Sequence, residues 1–170
     1  TDGIYTGVGM REGWKEITLK EACDLFTDGD WIETKNQSSK GIRLIQTGNI
    51  GSGKFKNRKN KARYISEDTF EELNCTEVFP GDLLVSRLPD PVGRSCLIPD
   101  IDSKMITAVD CTIIRPKQDL LDPEYLMYYQ MSRGYYSDVY SSVTGTTRSR
   151  ISRKNLGKLN IPIPPLPEQK

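Results

Sequence analysis

The stretch GNIGSGK, Gly48 to Lys54, has the G-x-x-x-x-G-K spacing with which backbone N–H groups and a lysine cradle a nucleotide's phosphates. That chemistry needs more parts than these. A hydroxyl should follow the lysine to hold Mg²⁺, and Phe55 stands there instead. The loop should also run into a helix whose N-terminus receives the phosphates. The next residues, KNRKNKARY, have no apolar helical period and crowd like charges together. The glycines are therefore expected to shape tight turns between short strands. The lysines and arginines then suit the phosphates of a polymer better than those of a nucleotide.

Other chemistries are excluded by what is missing. The chain has no histidine, which removes Ser-His-Asp and Cys-His catalysis and imidazole metal sites. Cys23, Cys75, Cys96 and Cys111 contain no C-x-x-C pair, so zinc-ribbon and redox-motif readings fail. Their apolar neighbours predict free, buried thiols, in keeping with a reducing cytoplasm. No [DN]-P-P-[YF] motif of an amino-methyltransferase is present; IPPL at 163–166 lacks both its polar and its aromatic residue. Nothing in the spacing of Asp82, Asp90 and Asp110 gathers them into a nuclease site, and they read as turn and surface residues. No apolar run is long enough to span a bilayer, and no signal-peptide core is visible.

Charge is segregated along the chain. The net charge is only +1. Residues 34–66, however, contain no acid and hold Lys35, Lys40, Arg43, Lys54, Lys56, Arg58, Lys59, Lys61 and Arg63. Residues 139–167 again lack acids and carry Arg148, Arg150, Arg153, Lys154 and Lys158. The rest of the chain is acidic on balance. If folding brings the two basic segments together, they form a positive face suited to phosphates.

The elements that must position these residues are short. A length of 170 residues fits one domain with a real core. GWKEITL begins extended, KEACDLF is ambiguous, and IRLIQT (42–47) reads as a strand ending at Gly48. Ser66 should cap a short helix over SEDTFEELN, with Phe70 and Leu73 as its apolar pair. DLLVSRL, VGRSCLI and MITAVDCTIIRP are further strand candidates. Asp122-Pro123-Glu124 starts the clearest helix, YLMYYQMSRGYYSDVY, which Gly134 could interrupt; its tyrosines read as core-margin residues. SVTGTTRSRISRKN should be an exposed loop with a short turn begun by Ser152. The prolines of IPIPPLP then impose an extended path, and Pro167 suits the first position of another helix.

With the motifs in order, the chain resembles the target-recognition domain of the DNA-specificity subunit of type I restriction-modification systems. GTTRSRISRKNLGKLNIPIPPLPEQK matches that family's C-terminal signature. Gly13-Trp14, IRLIQTGNI, PGDLLVSR, the Pro91–Arg94 turn and DPEYLMYY match its remaining motifs in sequence order. The resemblance implies an α/β (α+β) fold: a curved, barrel-like mixed sheet of short strands with peripheral helices. It implies residues 1–12 as an N-terminal extension, 13–165 as the recognition domain, and 166–170 as the start of a conserved helical spacer. Met10 could be a natural initiator, which would favour the first of two recognition domains.

The resemblance further implies a non-catalytic, cytoplasmic role in defence against phage DNA. The domain would read one half of a bipartite double-stranded DNA target. Partners would be modification (methyltransferase) subunits, a restriction subunit and a second recognition domain reached through the spacer. S-adenosylmethionine, ATP and Mg²⁺ would belong to those partners, with no cofactor and no metal in this chain. The alternative is a recognition domain fused to, or acting as, a nucleic-acid-modifying enzyme. For base contacts the expected residues are Thr47, Asn49, Thr146, Thr147, Arg148, Ser149 and Arg150, since short hydroxyls, an amide and arginine forks suit base edges. For phosphates they are Lys54, Lys56, Arg58, Lys59, Lys61, Arg87, Arg94, Arg153 and Lys154.

Overall fold

The computed structural model describes residues 12–143 and 149–170. The chain opens with β1 (Lys15–Thr18) and β2 (Cys23–Asp28), then β3 (Gln37–Ser38), β4 (Ile42–Ile45), the hairpin β5 (Ile50–Gly51) and β6 (Lys54–Phe55), and β7 (Arg63–Ile65). Helix α1 (Glu67–Glu72) leads to β8 (Leu83–Ser86), β9 (Ser95–Leu97), β10 (Met105–Thr107) and β11 (Cys111–Pro116). Three helices, α2 (Pro123–Tyr129), α3 (Arg133–Ser141) and α4 (Arg153–Gly157), precede β12 (Asn160–Ile163).

Two four-stranded sheets dominate, ordered β2-β11-β8-β9 and β10-β4-β7-β3, the first fully antiparallel and the second with a parallel β10–β4 pair. Both are buried on two faces, and side-chain alternation shows how. Leu83 and Val85 of β8 and Ile114 of β11 join the core beneath α2, α3 and α4. Leu84, Cys111 and Ile113 point the other way and meet Ile45 and Met105 of the second sheet. The far face of that sheet, Ile42, Leu44, Ile65 and Ile106, packs against Phe70 of α1. The order is therefore helices, sheet, sheet, helix. Among the described residues no sheet closes on itself, so the barrel-like expectation is corrected to a layered mixed α/β architecture.

The expected helix after Asp122 divides in two. Asp122 accepts from the Tyr125 N–H and starts α2; Ser132 accepts from the Tyr135 N–H and starts α3. The break lies at Gln130–Ser132, and Gly134 sits inside α3. Its cause is the Ser132 cap together with Gln130, which is fully buried and accepts from Ser95 Oγ at 2.7 Å. Ser66 caps α1 as expected, but Leu73 is exposed while Phe70 packs inward. The proline-rich tail pairs antiparallel with β1 as β12, where an edge strand tolerates Pro162. Leu166–Gln169 then forms one 3₁₀ turn. Gln169 locks that turn, donating to the carbonyls of Leu120 and Pro164 and accepting from Asp122 N.

Candidate nucleic-acid interface

Residues 87–94 link β8 to β9, and two buried arginines tie this turn to both basic segments. Arg87 Nε and Nη2 each lie 3.2 Å from an Asp28 carboxylate oxygen. Arg87 also donates to the carbonyls of Ile151 and Val109 at 3.1 Å and lies 3.8 Å from Asp110. Arg94 donates to Ile50 O at 2.5 Å, Thr47 O at 2.9 Å, Leu88 O at 2.8 Å and Pro91 O at 3.2 Å. Burial lowers its pKa from the ordinary arginine value. Both residues were expected on phosphates; the structure makes them internal braces, because their donors face protein acceptors and they expose only 3% and 7% of their surface.

Thr47 and Asn49 also have local roles. The strand expected over 42–47 stops at Ile45, and Thr47–Asn49 forms a 3₁₀ turn. Asn49 is 5% exposed: Oδ1 accepts from Gln46 N, and Nδ2 donates to the carbonyls of Lys56 at 2.7 Å and Asn57 at 3.1 Å. An amide so engaged is not presented to base edges, which corrects the expectation for Asn49. Thr47 is half-buried and lends its carbonyl to Arg94. Arg43 reinforces the clamp, donating from Nη1 to Asn57 Oδ1 at 2.7 Å and from Nη2 to the Asn57 carbonyl.

The 47–49 turn faces a second 3₁₀ turn, Lys59–Lys61, across a cleft of about 650 Å³. Gln46, Thr47, Gly48, Arg58, Lys61 and Arg63 are among its lining. A Cβ added at Gly48 would lie 3.0 Å from Arg58 Nη1, so glycine lets the guanidinium pack over the turn. Arg58 takes a left-handed backbone conformation, φ 49°. Lys54, Lys56, Arg58, Lys59 and Lys61 are exposed, and none pairs with a carboxylate among the described residues. This loop is an unneutralised basic surface.

The second basic segment is held through Arg87, whose carbonyl accepts from Ile151 N. Arg150 lies 3.7 Å from Asp110 and Arg153 3.9 Å from Asp28, with side chains about half exposed at 49% and 51%. Such long, wet ion pairs are weak, so either arginine can exchange its carboxylate for a phosphate. Ser152 caps α4 by accepting from Asn155 N at 3.0 Å, which presents Arg153 and Lys154 on an exposed first turn. Ser149 is half-buried. Thr146, Thr147 and Arg148 lie outside the described residues. The structure thus ties the 47–50 and 150–153 segments to one hairpin turn.

The expected contacts did not include Gln46, Asn60 or the anchoring acid Asp28; Arg43 and Arg63 were counted only in the basic segment, and Asp110 was read as a turn or surface residue. Arg43 carried a signal: an arginine inside the apolar strand IRLI, on the face opposite Ile42 and Leu44, needs a polar destination. Among the described residues no group of three histidines, cysteines or acids is placed to hold a metal ion. No described helix is long and apolar enough to cross a membrane.

The layered α/β domain carries a basic, carboxylate-free loop around a polar cleft, a surface whose charge suits a polyanion. The profile of the family described as type I restriction modification DNA specificity domain matches residues 11–170, and the chain belongs to that family. Such a domain is a non-catalytic component of these enzymes. The chain is 24% identical over 162 residues to the type I restriction enzyme MjaVIII specificity subunit of Methanocaldococcus jannaschii, and 22% identical over 164 residues to that organism's putative type I restriction enzyme MjaX specificity subunit. Each comparison covers 94% of this chain but 37% of the relative. A solved chain from a study of assembly and conformational transition of the type I restriction-modification system superposes with a TM-score of 0.69 at 24% identity, over 97% of this chain and 37% of that one. The HsdS subunit from Thermoanaerobacter tengcongensis gives 0.66 at 22% identity, with the same coverage. These superpositions establish the shared fold.

Proposed function

We propose that this chain is a target-recognition domain that binds double-stranded DNA and reads one half of a bipartite target. The observation that carries this is the exposed cluster Lys54, Lys56, Arg58, Lys59 and Lys61, basic throughout and without a carboxylate partner among the described residues. A surface like that meets the regular negative charge of a duplex and releases its counterions. Arg153 and Lys154 extend the phosphate contacts from the second segment. Base reading falls to Thr146, Thr147, Arg148, Ser149 and Arg150, with Thr47 at the cleft edge; arginine forks suit guanine and the hydroxyls are permissive.

In the whole protein, the domain positions modification subunits that methylate DNA with S-adenosylmethionine, and a restriction subunit that uses ATP and Mg²⁺. The relatives' names as specificity subunits, and the assembly study containing a chain of this fold, support that reading. A second recognition domain and a cytoplasmic setting belong to the same proposal.

Sequencing the methylome of the source organism supplies the target, and duplexes bearing each half of it then test the domain. Arg148→Ala with Arg150→Ala is expected to weaken binding to one half-site and leave scrambled duplex less affected. Each base pair no longer read should account for about 1–3 kcal/mol. Equal affinity of wild type for both half-sites and for scrambled duplex would remove the recognition reading.

A further inference from the structure

Two arginines near the cleft are buried with no contacting counter-ion among the described residues. Arg43 is 4% exposed and Arg94 7%. Among the described residues neither lies within 4.0 Å of a carboxylate, and only a longer-range attraction from exposed Asp90 acts on Arg94, whereas buried Arg87 is paired with Asp28 and Asp110. The acceptors of Arg43 are Lys104 O, through its backbone N–H, and the side chain and carbonyl of Asn57; its buried Nε has no hydrogen-bond partner. Those of Arg94 are four carbonyls, with its backbone N–H on Pro91 O. Amide oxygens satisfy most of these donors but leave the net charge largely uncancelled, and a buried uncancelled charge is costly.

Both cations hold residues in or beside the walls of one cleft. Arg94 holds the 47–50 side through Thr47 O and Ile50 O, Arg43 holds Asn57 next to Arg58, and Asn49 bridges the two sides. Three more cations, Arg58, Lys61 and Arg63, line the opening. The remaining lining contains amides, a hydroxyl and alanine but no aromatic ring on which a nucleobase could stack. Room, charge and the lack of a stacking surface together select a phosphodiester backbone over a free nucleotide.

We propose that the cleft between the Thr47–Asn49 and Lys59–Lys61 turns seats the sugar-phosphate backbone of one DNA strand. Arg58, Lys61 and Arg63 contact it, and Arg43 and Arg94 act as positioning residues whose missing counter-charge the phosphates supply. This rests on the DNA-binding reading above and adds to it where register is fixed: at the cleft, by a clamp that carries no sequence information of its own.

The test measures binding of the 170-residue chain to a fluorescein-labelled mixed-sequence duplex across a salt series. Arg58→Ala and Lys61→Ala should each flatten the slope of log K against log salt by about 0.9 for every phosphate no longer neutralised. Lys40→Ala, an exposed lysine of the same acid-free segment outside the cleft, should leave the slope unchanged. Asn57→Asp retains the acceptor for Arg43 but gives it a carboxylate. It should preserve or raise thermal stability while weakening duplex binding about fivefold at 0.1 M salt, an outcome a merely structural role would not produce. Wild-type binding with unaltered slopes in both cleft variants overturns the seat alone. No duplex binding by wild type overturns the DNA reading and the seat together. Displacement of the duplex by micromolar ATP with Mg²⁺ would make the cleft a nucleotide site and overturn the proposal.

Discussion

Arg87→Met separates a structural arginine from a DNA-contacting one. In the folded chain Arg87 exposes 4% of its side chain and faces two carboxylates, Asp28 at 3.2 Å and Asp110 at 3.8 Å. Methionine fills much of the same volume but leaves both acids without their main partner and the carbonyls of Ile151 and Val109 without a donor. Removing one member of a buried ion pair costs about 3–5 kcal/mol. The lower end applies here, because both acids reach water and keep other partners. Asp28 still accepts from Thr112 Oγ1 at 2.8 Å and has Arg153 at 3.9 Å; Asp110 keeps Arg150 at 3.7 Å. A loss of about 3 kcal/mol corresponds to a fall in Tm of about 6–12 °C for a chain of this size. Urea unfolding of Arg87→Met, Asp28→Asn and the double variant gives the coupling, which should exceed about 1 kcal/mol. Stability near wild type, combined with a flatter salt dependence of DNA binding, would refute the brace and return Arg87 to the phosphates.

Three further outcomes rest on the same packing and burial. Gly53→Ala should lower stability by about 1–2 kcal/mol in thermal denaturation, since φ is +74° and a Cβ would lie 2.5 Å from Met131 Sδ. Ser152→Ala should cost about 1 kcal/mol by removing the α4 cap, and should weaken DNA binding through Arg153 and Lys154. Burial pushes Cys96 up to about 12 and Cys111 up to about 11, against an ordinary 9.0, while desolvation raises Tyr125 to about 12. Folded values above unfolded ones mean the folded chain holds more protons. Stability is therefore full below pH 9 and falls as pH rises toward 11–12. Denaturant titrations between about pH 8 and pH 10.5 check this, and a flat profile would contradict it.

Local signals in the sequence carried through to the structure because their physics is local. Ser66, Asp122 and Ser152 cap helices by accepting an N–H three residues on, and LLVS within the expected DLLVSRL forms a strand because both of its faces are buried. The free, buried state of all four cysteines was likewise readable from their apolar neighbours. Sheet order was not readable, because it depends on pairings between distant segments such as Met105↔Arg43 and Lys15↔Ile163. The barrel-like sheet implied by the resemblance is corrected as well: among the described residues no sheet closes, and the sheets stack as layers. The helix expected after Asp122 divided because Ser132 caps a second helix by accepting from the Tyr135 N–H.

The candidate site shows a different kind of limit. An arginine in a sequence announces a charge but not where its counter-charge lies, and that location decides what the residue does. Arg87, Arg94 and Arg43 look alike as letters, and all three are buried. Arg87 finds Asp28 and Asp110 and becomes a brace that folding completes. Among the described residues Arg43 and Arg94 hydrogen-bond only to amide oxygens, with Asp90 acting on Arg94 from a distance, so most of their charge adds to that of Arg58, Lys61 and Arg63 near the cleft. A net charge of +1 conceals this, because the acids that balance the sum stand elsewhere in the fold. The acid-free run from residue 34 to 66 was the visible trace of it: a segment proposed to attract phosphate gains from having no carboxylate within its own run to compete.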